Sequence, residues 1–354
     1  MLNEKSFIDW CPYEGEDTNP HPSPVCEPIN LSCTSLPALV YAMQSEVTKE
    51  LSTLQVETIR RIFQSFSARG GFLLGDCTGV GKGRTIAGVL YELKARDRNF
   101  KAVWISANGR LKSDAEKEIS KICDISNLVD NVTFSSYSSL LNNIQLQKLI
   151  KFFEEDCEKL VILDECHALK NNSLTATKVF ELVNNIDNVN VLYSSATAAS
   201  CSKHLQYMNR LELWGESTPF NSYEELSSAI KKHGAPLMEL LSIHMHSIGA
   251  YVSRQLSFSN VTMDHHHISI NSTERNMYDE CARMFLEHNY IGGSAKQSFF
   301  QRLITGLKTR HAISIGRQRL AMGDAVIFSV MNTGDAFSKR ASLRTDGKKH
   351  HYKV

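Results

Sequence analysis

The chain has no C-x-x-C pair. Its nine cysteines are scattered and odd in number, so neither a disulfide framework nor a zinc site is indicated, and the thiols read as reduced. No window approaches the roughly eighteen consecutive apolar residues of a membrane-spanning helix. The opening MLNEKSFIDWCPYEGEDTNP lacks the basic-then-apolar order of a secretory signal, so a soluble, intracellular protein is the expectation. Net charge is nearly absent as well: +1, with a pI near 7.6, excludes a global attraction to nucleic acid or anionic membrane. Any such contact must come from local patches.

What is present is an ordinary globular composition. With 354 residues, 42% hydrophobic and 22% charged, the chain buries a sizeable core, and its length suggests about two domains. The first forty or so residues are rich in Pro, Asn and Ser without sustained periodicity, and read as an extended arm or a loosely packed extension. Then LSTLQVETIRRIFQSFSARGG places Leu54, Ile59, Ile62 and Phe63 at helical spacing and stops at Gly70–Gly71. A strand follows, and from there apolar runs alternate with helical patterns: TIAGVLYELKAR, KAVWIS, GRLKSDAEKEISKI, DNVTFSSY, LQKLIKFFEED, KLVILDE, LTATKVFELVNN and VNVLYSSAT. Such alternation implies a parallel sheet covered by helices on both faces, with ligands bound at the strands' carboxyl ends.

Each of three strands ends in a chemically distinctive stretch. LLGDCTGVGKGRTIAG, from Leu73 to Gly88, holds five glycines and one lysine directly after Phe72–Leu74. A strand, a glycine-rich turn and a helix beginning near Lys82 can aim the backbone N–H groups of Gly79, Val80, Gly81, Lys82, Gly83, Arg84 and Thr85 at phosphate oxygens, with the helix N-terminus adding positive dipole. Lys82 reaches the β and γ phosphates as a point charge, and Thr85 or Thr78 is placed to offer Mg²⁺ a hydroxyl. The match to G-x-x-x-x-G-K-[ST] is imperfect: Asp76 stands at the first Gly and Gly83 replaces Ser or Thr.

The second stretch is VILDECHALKN. Two acids at the end of a buried strand are costly unless a cation satisfies them, and Mg²⁺ held by Asp164, with Glu165 positioning the attacking water, would do so. Alone, an Asp-Glu pair equally suits a solvated strand end or a helix cap. The third stretch, SSATAAS, offers Ser195, Ala196 and Thr197; the hydroxyls of Ser195 and Thr197 are placed to bond acids on a neighbouring strand and so link the nucleotide site to movement elsewhere. Gln55, ahead of the first strand, stands where an adenine-reading amide would sit, although a surface helix position is the plainer reading. DHHHIS at 264–269 reads as an exposed strand, His244 and His246 as structural. RLELWGESTPF and SRQLSF read as packing elements.

HPSPVCEP, GDCTGVGKGRTIAG, LDECHALKN, SSATAAS, YMNRLELWGESTPF and YVSRQLSF together resemble the strawberry notch family, helicase-like proteins of superfamily two, from about His21 to about Phe258. The family's phosphate loop has the same GVGKGRTIAG form, so the departure at Gly83 belongs to it. The resemblance implies an α/β fold, a P-loop NTPase with a RecA-like parallel sheet, helices on both faces and a helical insertion. It implies ATP and Mg²⁺, with Lys82 on the phosphates, Asp164 on the metal (Mg), Glu165 on the water and Ser195–Thr197 as the coupling motif. It further implies dependence on DNA or RNA, protein partners in transcription or chromatin regulation, a nuclear setting in a eukaryote, and no membrane.

On that basis the expected organisation is an N-terminal extension (1–50), a RecA-like ATP-binding lobe (51–200), an accessory helical region (201–320), the start of a second RecA-like lobe (321–337, where DAVIFSVMNTGDAF resembles its first strand and turn) and a basic tail (338–354) that reads as disordered. Nucleic acid would contact the loops Ser106–Lys112 and Ser135–Ser139 by backbone and hydroxyl donors. A second lobe should bring arginines worth roughly 10³ to 10⁵ in rate, so this chain alone is expected to bind ATP better than it hydrolyses it. A longer protein or a second polypeptide would complete the site; the alternative is a non-hydrolysing nucleotide-binding scaffold.

Overall fold

The structure is a computed structural model that describes residues 8–9, 19–27, 36–39, 50–107, 111–128, 130–171, 173–197, 205–216, 218–257, 261–287 and 293–330. The chain divides into two compact units, Met1–Asn260 and Val261–Val354. The first runs β1 (Ile8–Asp9), β2 (Val25–Glu27), α1 (Thr53–Arg69), β3 (Gly71–Leu74), α2 (Lys82–Arg96), β4 (Lys101–Ser106), α3 (Leu111–Ser120), β5 (Val132–Ser136), α4 (Asn143–Phe152), β6 (Lys159–Asp164), α5 (Ser173–Asn184), β7 (Val189–Ser194), α6 (Tyr223–His233), α7 (Ala235–Ser247), β8 (Tyr251–Val252) and β9 (Gln255–Leu256). The second holds α8 (Ser272–Glu287) and α9 (Gly293–Ala321).

Six strands form one parallel sheet in the order β5-β4-β6-β7-β3-β8. Successive strand residues point to opposite faces, and the core divides accordingly. Phe72, Leu74, Ala102, Trp104, Leu160, Ile162 and Leu192 pack into one buried cluster with α1, α2 and α3. Leu73, Val103, Ile105, Val161, Leu163, Val191 and Tyr193 pack into the other with α4, α5, α6 and α7. Each fully buried large apolar side chain contributes about 1.5–3 kcal/mol, so a sheet apolar on both faces requires both helical layers.

Helix α1 begins where Ser52 and Gln55 form a capping box and ends at Gly70, whose φ of 74° is left-handed. The stop expected at Gly70–Gly71 is where the helix gives way to β3.

Three features differ from the sequence reading. The described residues between 205 and 257 do not stand apart from the sheet: Leu226, Ile230, Leu241 and Met245 of α6 and α7 cover one face, and β8 joins the sheet beside β3. The expected boundary at 200 therefore falls inside the first unit. The arm is packed where it is described: β2 pairs with β9, Val25 and Cys26 are buried, and Asn19 bonds Thr53 and Leu51.

Finally, residues 324–330, expected as a strand, are irregular, with Ile327 93% exposed. No described strand pairs with them, and an isolated strand is not stable. Residues 331–354, which hold the rest of that segment and the basic tail, lie outside the described residues. His265–His267 are likewise exposed and irregular rather than a strand.

Candidate functional site

Register places the three distinctive strand ends side by side. Leu74 of β3 pairs with Ser194 of β7, and Ser194 pairs with Asp164 of β6. The phosphate loop and the acids thus leave the same edge of the sheet two strand spacings apart, about 10 Å. The strand that stands between them is β7.

The loop from Gly75 to Gly81 is built for close backbone approach. Gly79 and Gly81 have φ of 96° and 97°, and a Cβ on Gly81 would stand 2.5 Å from the Gln55 amide nitrogen. The positive φ strains any other residue at Gly81, and a side chain there would displace the Gln55 amide. Lys82 opens α2 and folds back, its Nζ donating to the Asp76 carbonyl at 2.8 Å. The buried Thr85 hydroxyl donates to the Gly81 carbonyl at 3.4 Å, while Thr78 is exposed. A Cβ on Gly83, the position of the missing hydroxyl, would press the Glu118 Cγ at 3.2 Å. Arg84 is held by Glu118 at 2.9 Å and by the Glu50 carbonyl at 2.8 Å. Burial alone would raise the Glu118 carboxyl, but hydrogen bonds from Lys121 and Arg84 outweigh it and hold the group below its ordinary range.

Gln55 is buried rather than exposed. Its Oε1 accepts from the Ser52 N–H and its Nε2 donates to the Gly81 carbonyl at 3.4 Å. A cleft of about 630 Å³ opens beside it, lined by Asn19–Pro22, Gly79–Gly81, Arg84 and Glu118. The N-terminal segment therefore forms a wall of the loop's own cleft.

At the end of β6, Asp164 is held by neutral donors: the Ser194 hydroxyl at 3.0 Å, the Glu165 N–H at 3.0 Å and the Trp104 indole at 3.4 Å. Burial raises its carboxyl above the ordinary range, against the Ser194 hydrogen bond. No ion pair to Asp164 occurs among the described residues. A half-buried carboxylate with hard oxygen donors and no cation of its own suits Mg²⁺, which takes one or two carboxylates and completes its shell with water and phosphate.

Glu165 has a φ of 49°, uncommon outside glycine. The Tyr137 hydroxyl donates to the Asp164 carbonyl and the Tyr207 hydroxyl to the Cys166 carbonyl, both at 2.9 Å, fixing the backbone on either side. That constraint is what sustains the strained residue.

The acid-to-serine contact is shifted by one from the expectation. Ser194, not Ser195 or Thr197, bonds Asp164. The Ser195 hydroxyl lies 3.1 Å from His167 Nδ1, and that nitrogen lies 3.0 Å from Glu165. Thr197 donates its N–H to Ser195 Oγ at 3.1 Å, and Ala196 lies between them. Period-two alternation decides this, because the register that aligns Ser194 with Asp164 turns Ser195 away from it.

Two residues carry a role that the sequence reading did not assign to them. Asp76 and Arg254, each 1% exposed, form a bidentate pair: Nε to Oδ1 at 3.0 Å and Nη2 to Oδ2 at 2.7 Å. Arg254 also donates its backbone N–H to Asp76 at 3.0 Å, Nη1 to the Leu54 carbonyl at 3.3 Å and Nη2 to Thr58. Asp76 has no left-handed φ, so its position does not require the glycine expected there. Its departure from the loop pattern was the available signal, since a carboxylate directly after a buried strand needs a cation.

Of the two expected nucleic-acid loops, residues 108–110 lie outside the described residues. In the other, Ser135 and Ser139 hydroxyls bond each other at 2.8 Å, and Ser136 caps the turn that follows. No described helix is long and apolar enough to cross a membrane.

Comparison with known proteins gives the family. Residues 20–280 match the model of the P-loop containing NTP hydrolase pore-1 family. The mouse protein strawberry notch homolog 2 is 32% identical over 97% of this chain and 29% of its own length. The Drosophila melanogaster protein strawberry notch is 31% identical over 97% and 25%, and the Arabidopsis thaliana protein FORGETTER 1 is 28% identical over 95% and 31%. The chain thus spans between a quarter and a third of these relatives. Among solved structures, the Sulfolobus solfataricus SWI2/SNF2 ATPase core in complex with dsDNA is similar at a TM-score of 0.44 and 18% identity, over 82% of this chain and 63% of that one. Matched over most of its length by one family model, with its loop lysine and strand-end acids on one edge of one parallel sheet, this chain belongs to the P-loop containing NTP hydrolase pore-1 family.

Proposed function

We propose that the chain is the ATP-binding portion of a helicase-like ATPase whose turnover depends on DNA or RNA. The observation that carries this reading is the shared sheet edge, where Lys82 and the Asp164–Glu165 pair flank a strand whose serine is bonded to Asp164. Lys82 leaves the Asp76 carbonyl and takes the β and γ phosphates, and the N–H groups from Gly79 to Thr85 cradle them. Asp164 would hold Mg²⁺, which when bound neutralises phosphate charge. Glu165, aimed by its constrained backbone, orients the attacking water. Gln55 and the wall at Asn19–Pro22 place the base in the cleft.

Ser194 on Asp164, together with Ser195 on the His167 that touches Glu165, supplies the coupling. A change at either acid is felt on the one strand that also borders the loop. Dependence on nucleic acid, and a setting in transcription or chromatin regulation with protein partners there, rest on the resemblance to strawberry notch proteins.

The test is ATP hydrolysis with and without single-stranded and duplex DNA and RNA, beside Lys82→Ala and Glu165→Gln. The expected result is stimulation by one nucleic acid and a loss of at least about 10² in both variants. Turnover kept in both variants would overturn the site. ATP binding that needs Lys82 without any turnover would establish the non-hydrolysing scaffold instead.

A further inference from the structure

The whole-chain charge of +1 conceals a strong asymmetry. Residues 293–354 carry twelve Lys or Arg against three Asp, a net +9, so the preceding 292 residues carry −8. Half of that positive charge lies on one element, α9 (Gly293–Ala321), which has Lys296, Arg302, Lys308, Arg310, Arg317 and Arg319 and no Asp or Glu in 29 residues. At the chain's average composition about three acids would be expected over that length, so their absence is a property of this helix. Helix α8 of the same unit has the opposite balance, with Glu274, Asp279, Glu280 and Glu287 against Arg275 and Arg283.

The charges on α9 are presented to solvent. Lys308, Arg310, His311, Arg317 and Arg319 are exposed. Arg310 pairs with Glu274 and Arg319 with Asp324, whereas Lys308 and Arg317 make no ion pair among the described residues. From Lys296 to Arg319 the basic stretch runs about 35 Å at 1.5 Å per residue, close to one turn of a nucleic-acid duplex. The helix's neutral polar residues, Gln297, Gln301, Thr305, Thr309, Ser314 and Gln318, are of the kinds that donate to phosphate and sugar oxygens.

Exposed apolar residues are also present, Phe299, Ile304, Ile313 and Leu320, and basic residues stand among them on both sides of the helix. At about 100° per residue, Ile304 falls among Lys308, His311 and Arg319, and Phe299, Ile313 and Leu320 fall roughly opposite, beside Arg310 and Arg317. A helix that lies in a membrane interface separates a charged face from an apolar one. This one mixes them.

We propose that α9 is a sequence-independent nucleic-acid contact, a surface that engages the phosphate backbone outside the ATP site. The proposal deepens the nucleic-acid dependence proposed above and rests on it. It adds the element that holds the strand and the kind of contact, which is counterion release rather than base reading.

The test is fluorescence anisotropy of a labelled duplex of about 30 base pairs and a single strand of similar length, titrated with the full chain over a range of salt and without nucleotide. The variant is Lys308→Gln/Arg317→Gln/Arg319→Gln. For the duplex, log K against log salt has a slope of about −0.9 per phosphate neutralised. Lys308 and Arg319 share one side of the helix and Arg317 lies on the other, so the triple variant removes contacts from whichever side engages and should be shallower by roughly 1 to 2, and about tenfold weaker at about 0.1 M salt.

Circular dichroism and ATP binding that needs Lys82 control for folding. Should the triple variant unfold, Lys308→Gln and Arg319→Gln, which lie on the same side of the helix, are each expected to lower the slope by about 0.9. An unchanged slope in a folded variant that still binds would overturn the α9 contact alone. Absence of any binding by the unaltered chain would overturn nucleic-acid dependence itself, and this proposal with it. Vesicles of phosphatidylcholine with about a third phosphatidylserine complete the comparison. Capture on them that the triple variant abolishes, with duplex binding unaffected, would assign the surface to anionic lipid and overturn the proposal.

Discussion

Asp76 and Asp164 follow or end strands of the same sheet, at the same edge of it, yet they are satisfied differently. Asp76 is 1% exposed and carries its own cation, the bidentate guanidinium of Arg254. Asp164 is half-buried and held by a hydroxyl, an indole and a backbone N–H, all neutral. A carboxylate completed by the protein's own guanidinium is structure. A carboxylate positioned by neutral donors retains its charge for something that arrives.

The comparison breaks most sharply at Arg254. Arg254→Met leaves a buried carboxylate without a cation and is expected to cost about 3–5 kcal/mol of stability by urea denaturation. Asp76→Asn in the same chain should restore part of it. A cost under about 1 kcal/mol would mean that the pair does not hold the loop.

Two titratable groups near that pair give the next effect. His246 is 3% exposed, stacked 4.4 Å from the Tyr251 ring and with no hydrogen bond to either ring nitrogen. Burial, then Arg61 and Arg254 against Asp76, push it down to about 4. Burial, with Glu57 and Asp76 against Arg254 and Arg61, pushes Glu27 up to about 7. As pH falls from about 6.5 to 4, the unfolded chain takes up a proton on His246 that the fold refuses, so stability falls by up to about 1.4 kcal/mol per pH unit.

As pH falls from about 7 to 4.5, the fold takes up a proton on Glu27 that the unfolded chain does not, so stability rises, by less because Glu27 is half exposed. The two slopes oppose each other in the intact chain. Denaturation across pH should show Glu27→Gln losing stability toward acid and His246→Phe gaining it; the same slope in both would remove the opposition.

At Asp164 the expected sign reverses. Asp164→Asn relieves a buried charge, so folding stability should hold or rise, while Mg²⁺-dependent nucleotide binding weakens at least about tenfold, or 1.4 kcal/mol. Equal losses in stability and binding would make Asp164 another Asp76. A smaller effect is expected for Ser194→Ala, which deletes one hydrogen bond to Asp164 and should cost about 1 kcal/mol of stability. Ser195→Ala, acting through His167, should cost less in the same assay.

Much of this was legible in the chain. Apolar runs ending in chemistry gave the parallel sheet, with Asp164 and Glu165 at the carboxyl end of β6 and Lys82 at the far end of the loop that leaves β3, because such sheets leave that edge to loops. What could not be read was register and distance along the chain. Ser194 and Ser195 are indistinguishable until β7 is aligned with β6. Asp76 and Arg254 are 178 residues apart, beyond any local pattern. The segment at 19–27 has no period because its pairing, with β9, is long-range. DAVIFSV has a strand's composition, but a strand forms only where a sheet accepts it.

The clasp between Asp76 and Arg254 also sets an order in time. A nascent chain that has emerged only as far as Thr197 contains every motif of the nucleotide site. Its phosphate strand β3 nevertheless remains an edge, because β8 has not been made, and Asp76 waits without its arginine. Such an intermediate exposes unpaired backbone to other chains. The motifs of the site are therefore all present in the sequence before the fold can complete them, so a chain interrupted between residues 197 and 254 carries an open sheet edge at β3.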